Sequence, residues 1–240
     1  MSAPPLAVRG LSKAYRKRLV LAALDLTVQP GEAVALIGAN GAGKSTLLGC
    51  VAGARVPTRG EVRVCGTDPL AETAAAARCT GWVPERAYLY DELTVGELLA
   101  FVVAARDMDA TAGRGEADRL LQRLRLDGAD ALLCGELSQG MRRKVAITIA
   151  LLHAPRLLLL DETLNVLDVP SAAALLEELE ERRREGAGVL IASHDLAFLA
   201  GWCERGLVLR EGGGWEMLQA DDWRAWRAAP GLPAAEVGRT

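Results

Sequence analysis

The sequence predicts an α/β fold with a mainly parallel sheet, an N-terminal antiparallel β part and an inserted α-helical lobe. Three observations carry that prediction. Short continuous apolar runs alternate with segments of helical spacing, the pattern of strands covered on both faces by crossover helices. Residues 1–60 are dominated by short strand-like runs and turns. From residue 88 to about 133 the spacing becomes purely helical.

In order, VLAALDLTV nearly alternates, QPGE reads as a turn, and AVALIG is a short buried strand. The loop GANGAGK then opens STLLGCVAG, whose apolar spacing and closing Gly53 indicate a helix. TRGEVRVCG and TGWVPE read as two further strands, the second ending at Pro84. LTVGELLAFVVAARD and GEADRLLQRLRLDGAD form the lobe, bounded by the loop ERAYLYDE and by CGELS. After it come a helix from Gln139, the strand LLLLD, the helix SAAALLEELEERRREG and the strand GVLIASHD. LVLREGGGWEML closes as a hairpin around Gly212 to Gly214, and the Pro- and Ala-rich end reads as a tail. The expectation is one domain over residues 1–240: core 6–87 and 141–220, lobe 88–140, tail 221–240.

Composition narrows the function. Half the residues are apolar, a quarter are charged and the net charge is -3, so no electrostatic argument favours nucleic acid or an anionic membrane. The five cysteines are odd in number and widely spaced, without a C-x-x-C pair, which suits a reducing cytosol better than a metal cage or disulfide framework. The longest apolar run, from Val145 to Leu160, is broken by His153, Pro155 and Arg156. It is too short and interrupted to span a bilayer. A soluble chain is expected, with any membrane role exercised through a partner.

GANGAGKS, from Gly38 to Ser45, fits the P-loop pattern between a strand and a helix, and so predicts a P-loop NTPase core. Gly38, Asn40, Gly41 and Gly43 belong to a turn whose backbone N–H groups can converge on a phosphate at a helix N-terminus. Lys44 suits the β- and γ-phosphates, Ser45 a Mg²⁺ ion and Thr46 the α-phosphate. RLLLLDET places Asp161 and Glu162 at the carboxyl end of a buried strand, where open α/β sheets bind ligands. Alone, they would read as an acidic turn capping the next helix. With a P-loop in the chain, Asp161 becomes a metal-holding residue and Glu162 the base for an attacking water. His194 in LIASHDLAF follows a third strand; unaided it would be a surface or capping residue. LSQGMRRKVAITIALL is a second polar turn opening a helix, read alone as an ordinary Ser138 cap.

The P-loop, LSQGM, LLLLDE, NVLD and SHD, in this order, make residues 6 to about 220 resemble an ATP-binding cassette (ABC) ATPase. The resemblance is greatest to ATP-hydrolysing subunits of bacterial exporters whose membrane part is a separate polypeptide. It implies ATP and Mg²⁺, an integral-membrane permease partner, a second ATPase subunit, homo- or heteromeric, and a peripheral place on the cytoplasmic face. It also implies that Ser138 and Gly140 grip the nucleotide of a head-to-tail neighbour, that Tyr15 stacks on adenine, that Asn165 to Asp168 lie between protomers, and that His194 meets the γ-phosphate. Four departures from the family pattern stand out: Glu85 where Gln is usual, Gln139 for the first signature Gly, Met141 for the signature Gln, and the pair Thr163–Leu164 after the acidic pair. Glu85 would still offer oxygen to the metal, with added negative charge. The helical lobe with the loop from Glu85 to Leu93, including Tyr88, Leu89 and Tyr90, is where the family docks its membrane partner; core packing is the alternative for those three side chains. Competing readings are a soluble non-transport ABC-type ATPase on ribosomes or nucleic acid, and a non-hydrolysing interaction module.

Overall fold

The structure, a computed structural model, describes residues 3–219, 222 and 223. Strands β1 (Leu6–Tyr15) and β2 (Arg18–Val28) form an antiparallel hairpin, and β4 (Arg59–Val64) pairs antiparallel with the other edge of β1. These strands are longer than expected. Hairpin pairing carries β1 and β2 to 10 and 11 residues, with register shifts absorbing irregular positions in a nearly alternating sequence.

The second sheet starts with β3 (Ala33–Ile37), which runs into the P-loop and helix α1 (Lys44–Val51). After β4 come α2 (Thr73–Cys79), β5 (Thr80–Val83), α3 (Val95–Ala105), α4 (Ala110–Arg123) and α5 (Gln139–Leu151). Then follow β6 (Leu157–Asp161), α6 (Val169–Arg184), β7 (Gly188–Ala192), α7 (Leu196–Trp202), β8 (Arg205–Leu209) and β9 (Trp215–Leu218). The strand order is β5-β6-β7-β3-β8-β9, parallel except for the terminal β8–β9 hairpin. The fold is thus α/β, with a mainly parallel sheet, a separate antiparallel part and a helical insertion.

Strand periodicity divides the interior. Leu157 and Leu159 of β6 face a core shared with the antiparallel sheet and α1, where Leu6, Leu24 and Leu47 are buried. Leu158 and Leu160 face the opposite core beneath α5, α6 and α7, with Ile147, Leu175 and Leu199. That two-sided burial is why LLLLD contains no polar residue before Asp161. A third cluster fills the lobe with Val95, Leu99, Leu121 and Cys134. Helices α4 and α5 each contribute side chains to both the second and third clusters.

The helix starts are encoded locally. Thr94 and Glu97 form a reciprocal capping box on α3, and Ser138 and Asp168 cap α5 and α6. Lobe helix α4 and core helix α6 are joined by ion pairs around buried Glu178. Arg119 Nη2 and Arg182 Nε each lie within hydrogen-bond distance of Glu178 Oε1, at 2.8 and 2.9 Å. Burial opposes its charge, yet these arginines and Arg123 hold its carboxyl below the usual range.

Short helices α2 and α7 were not anticipated. Only Ala76 of α2 is buried, so it carries no apolar stripe. Trp223, within the stretch expected as a tail, is buried against Gly206, its indole N–H donating to the Cys203 carbonyl at 2.8 Å. The rest of that stretch, Asp222 apart, lies outside the described residues. All five cysteines are free. Among the described residues no helix is long and apolar enough to cross a membrane.

Candidate nucleotide site

The carboxyl ends of β3, β6 and β7 open on a cleft of about 540 Å³, large enough for a nucleotide. Its floor is the turn after β3. Gly38 has no room for a side chain: a Cβ there would lie 2.7 Å from the Leu209 carbonyl oxygen. Gly43 caps α1 at φ 111°, in left-handed space, packed against Val20. Lys44 is buried, and its Nζ donates to the Gly38 carbonyl at 2.7 Å. Its ammonium is thus held over the turn. Ser45 and Thr46 follow on the same helix start and line the cleft.

Opposite stand the carboxylates. Asp161 ends β6 with its Oδ1 buried and without a hydrogen-bond partner. Burial pushes its carboxyl above the ordinary range; a Ser45 hydrogen bond and Lys44 pull down, while Glu85 and Glu162 push further up. Glu162 follows at φ 49°, a left-handed conformation rare for a non-glycine residue, with its N–H bonded to the Ala192 carbonyl at 3.0 Å. That turn aims the side chain into the cleft. Glu162 Oε2 accepts from Asn165 Nδ2 at 2.7 Å and from the His194 backbone N–H at 3.1 Å. His194 Nε2 stands 3.3 Å from Glu162 Oε1, which lacks a well-aligned hydrogen bond.

No cluster of three or more His, Cys, Asp or Glu side chains suited to a metal occurs among the described residues. Mg²⁺ does not need one, since it keeps water and phosphate ligands and takes one or two protein oxygens. The orphaned Asp161 oxygen beside Ser45 fits that requirement.

The cleft therefore gathers Tyr15, Asn40, Gly41, Gly43, Lys44, Ser45, Thr46, Glu85, Asp161, Glu162 and His194, with Gly38 beneath them. Ser138 and Gly140 do not line it. Ser138 caps α5, its Oγ accepting from the Met141 N–H at 3.3 Å. Of the three loop side chains, the aromatic Tyr88 and Tyr90 are exposed while Leu89 packs in the lobe. Three features escaped the sequence reading. Arg18 and Val20 also line the cleft; the pairing of Arg18 with Tyr15 across the hairpin is the signal that could have found the first. Arg143, buried in α5, donates to the carbonyls of Pro84 and Glu85 and so fixes the segment carrying Glu85. Lys144 of α5 pairs with Asp168 at 2.9 Å.

A glycine-rich turn feeding a helix, a buried lysine above it and carboxylates at adjacent strand ends define a P-loop nucleoside triphosphatase. Comparison with known proteins narrows the class. The ABC transporter family model matches residues 9–165. The chain is 30% identical over 205 residues to the SkfA peptide export ATP-binding protein SkfE of Bacillus subtilis (strain 168), covering 85% of each. It is 31% identical over 207 residues to the ABC-type transporter ATP-binding protein EcsA of the same organism, covering 86% of this chain and 84% of that one. A solved ATP-binding subunit of an ABC transporter superposes with TM-score 0.88 at 33% identity, covering 97% of both chains. The chain belongs to the ABC transporter family, as an ATP-binding, ATP-hydrolysing cassette.

Proposed function

We propose that the chain hydrolyses ATP in a head-to-tail pair and powers export through a separate integral-membrane subunit, lying peripherally on the cytoplasmic face. The observation that carries the chemistry is the convergence of Lys44, Ser45, Asp161, Glu162 and His194 on one cleft. In this reading Tyr15 takes the base, while Gly38, Asn40, Gly41, Gly43 and Thr46 cradle the phosphates. Lys44 is fixed by the Gly38 carbonyl before substrate arrives, so its charge is already placed for the β- and γ-phosphates. Ser45, Asp161 and Glu85 would hold Mg²⁺, which when bound neutralises phosphate charge.

Glu162 Oε1 takes a proton from water as the water oxygen attacks phosphorus and the bond to the ADP oxygen breaks, giving ADP and phosphate. The Asn165 side chain and the His194 N–H hold the other carboxylate oxygen, which leaves the accepting one without a hydrogen bond and facing the His194 ring. The His194 ring, beside that oxygen, is placed for the γ-phosphate. Ser138 and Gly140, away from their own cleft at the positive end of α5, would close on the neighbour's γ-phosphate. Export is supported by the likeness to a peptide export ATP-binding protein.

The test uses Glu162→Gln. With Mg–ATP this variant should lose turnover by at least about 100-fold and run as a dimer in light scattering. Adding Ser138→Arg should return it to monomer while ATP stays bound. Persistence of the dimer would remove Ser138 from the interface, and unimpaired turnover in Glu162→Gln would remove Glu162 as the base. Purification of the tagged chain from its cells should recover an integral-membrane protein; recovery of ribosomes instead would overturn the transport reading.

A further inference from the structure

Tyr15 lines the cleft at the end of β1 and remains 40% exposed. An exposed tyrosine samples several rotamers, and ordering it on ligand binding costs affinity. Here the ring is already held. Arg55 Nη1 donates to the Tyr15 hydroxyl at 2.5 Å. Lys13 Nζ lies 4.9 Å from the ring centroid and is itself fixed by the Val56 carbonyl at 2.7 Å. The loop carrying Arg55 is tied to the same strand, because Ala14 N–H donates to Thr58 Oγ1 and Thr58 N–H to the Ser12 carbonyl.

Arg55 is long and exposed, so it needs its own support. Its N–H donates to the Gly49 carbonyl at 2.9 Å, and its stem lies directly on Gly49 of α1. A Cβ at residue 49 would stand 2.8 Å from both Cδ and Nε of Arg55. Glycine inside a helix costs about 1 kcal/mol against alanine. The arginine stem, in the position described, occupies the space that this glycine leaves open. Helix α1 begins at Lys44, so one rigid element governs the lysine at its start and, through Gly49 and Arg55, the tyrosine.

We propose that Arg55 is a positioning residue for the nucleobase: braced on Gly49, it presets the Tyr15 ring as a stacking platform at a fixed reach from the P-loop. The proposal rests on the assignment of Tyr15 to the base. It makes affinity for the base end of the nucleotide separable from affinity for its phosphates.

The experiment is calorimetric titration of the whole chain with Mg–ATP and, separately, with Mg–tripolyphosphate, which has no base. Arg55→Met and Tyr15→Phe should each weaken ATP binding by about three- to tenfold, since each removes the same charge-assisted hydrogen bond. The double variant should be no weaker than either single one. Tripolyphosphate affinity should be unchanged in all three. Tyr15→Phe keeps every charge and the ring, so it guards against a general electrostatic or folding effect of losing Arg55. Additive losses, or an equal loss for tripolyphosphate, would overturn the proposal. Unchanged ATP affinity in Arg55→Met, with Tyr15→Ala still weakening ATP, would overturn it while sparing the assignment of Tyr15. No effect of Tyr15→Ala on ATP would instead sink that assignment.

Discussion

Asn165 holds Glu162: its side-chain amide donates to the carboxylate at 2.7 Å from three residues further along the chain. The same oxygen accepts the His194 N–H, so the carboxylate is oriented by groups from two different strand ends. Asn165→Ala removes one anchor and leaves the carboxylate freer to rotate. Steady-state phosphate release should show kcat lowered by about three- to tenfold, with the KM for ATP nearly unchanged. A raised KM at constant kcat would mean that Asn165 serves binding instead.

Glu85 adds a third carboxylate to a cleft that already holds Asp161 and Glu162. Its charge helps to push Asp161 up and opposes an incoming triphosphate. Glu85→Gln should strengthen ATP binding by about two- to fivefold in the presence of EDTA, read by calorimetry. Weaker binding would show that Glu85 touches the nucleotide favourably.

Buried Arg143 satisfies the carbonyls of Pro84 and Glu85. Methionine fills similar volume but leaves both acceptors without that donor. Arg143→Met should cost about 1–3 kcal/mol in urea unfolding. Recovery of most of that loss in Arg143→Lys would identify the donor, not the packing, as the source.

His153 follows α5, its Nε2 3.1 Å from the Thr80 carbonyl, in the arrangement of a neutral ring donating to that oxygen. Burial, helped by Arg106, pushes its pKa down to about 4. Between about 4 and the ordinary value near 6.5 the unfolded chain binds a proton that the folded chain refuses. Stability therefore falls as pH drops from about 6.5 towards 4, by up to about 3 kcal/mol. Replacing His153 by Gln should flatten the dependence of the urea midpoint in that window.

The legible parts of this fold are those whose meaning is local. GANGAGKS carries its own backbone geometry, LLLLD shows two-sided burial as an unbroken apolar run, and the three glycines from Gly212 mark the terminal hairpin. What stayed hidden depends on partners distant in the chain. Arg143 acquires its role from residues 84 and 85, Arg55 from Tyr15, and Trp223 from Gly206. Each looks, in sequence, like an ordinary arginine or a stray aromatic. Helix α7 gives little local signal, because LAFLAGW is short and carries a glycine one place from its last residue. The position of Asn165 was readable from the resemblance, but its grip on Glu162 was not.

Because α4 and α5 root their side chains in the interiors of both lobe and sheet, the two regions behave as meshed gears and not as bodies on a slack tether. Close-packed interiors resist gradual sliding, so any shift of the lobe against the sheet would require repacking around Ile147 and Leu121. The layer that α4 and α5 share lies under β6, whose Leu158 and Leu160 face it and whose next residue is Asp161. The packing that joins lobe to sheet therefore ends one residue short of a buried carboxylate.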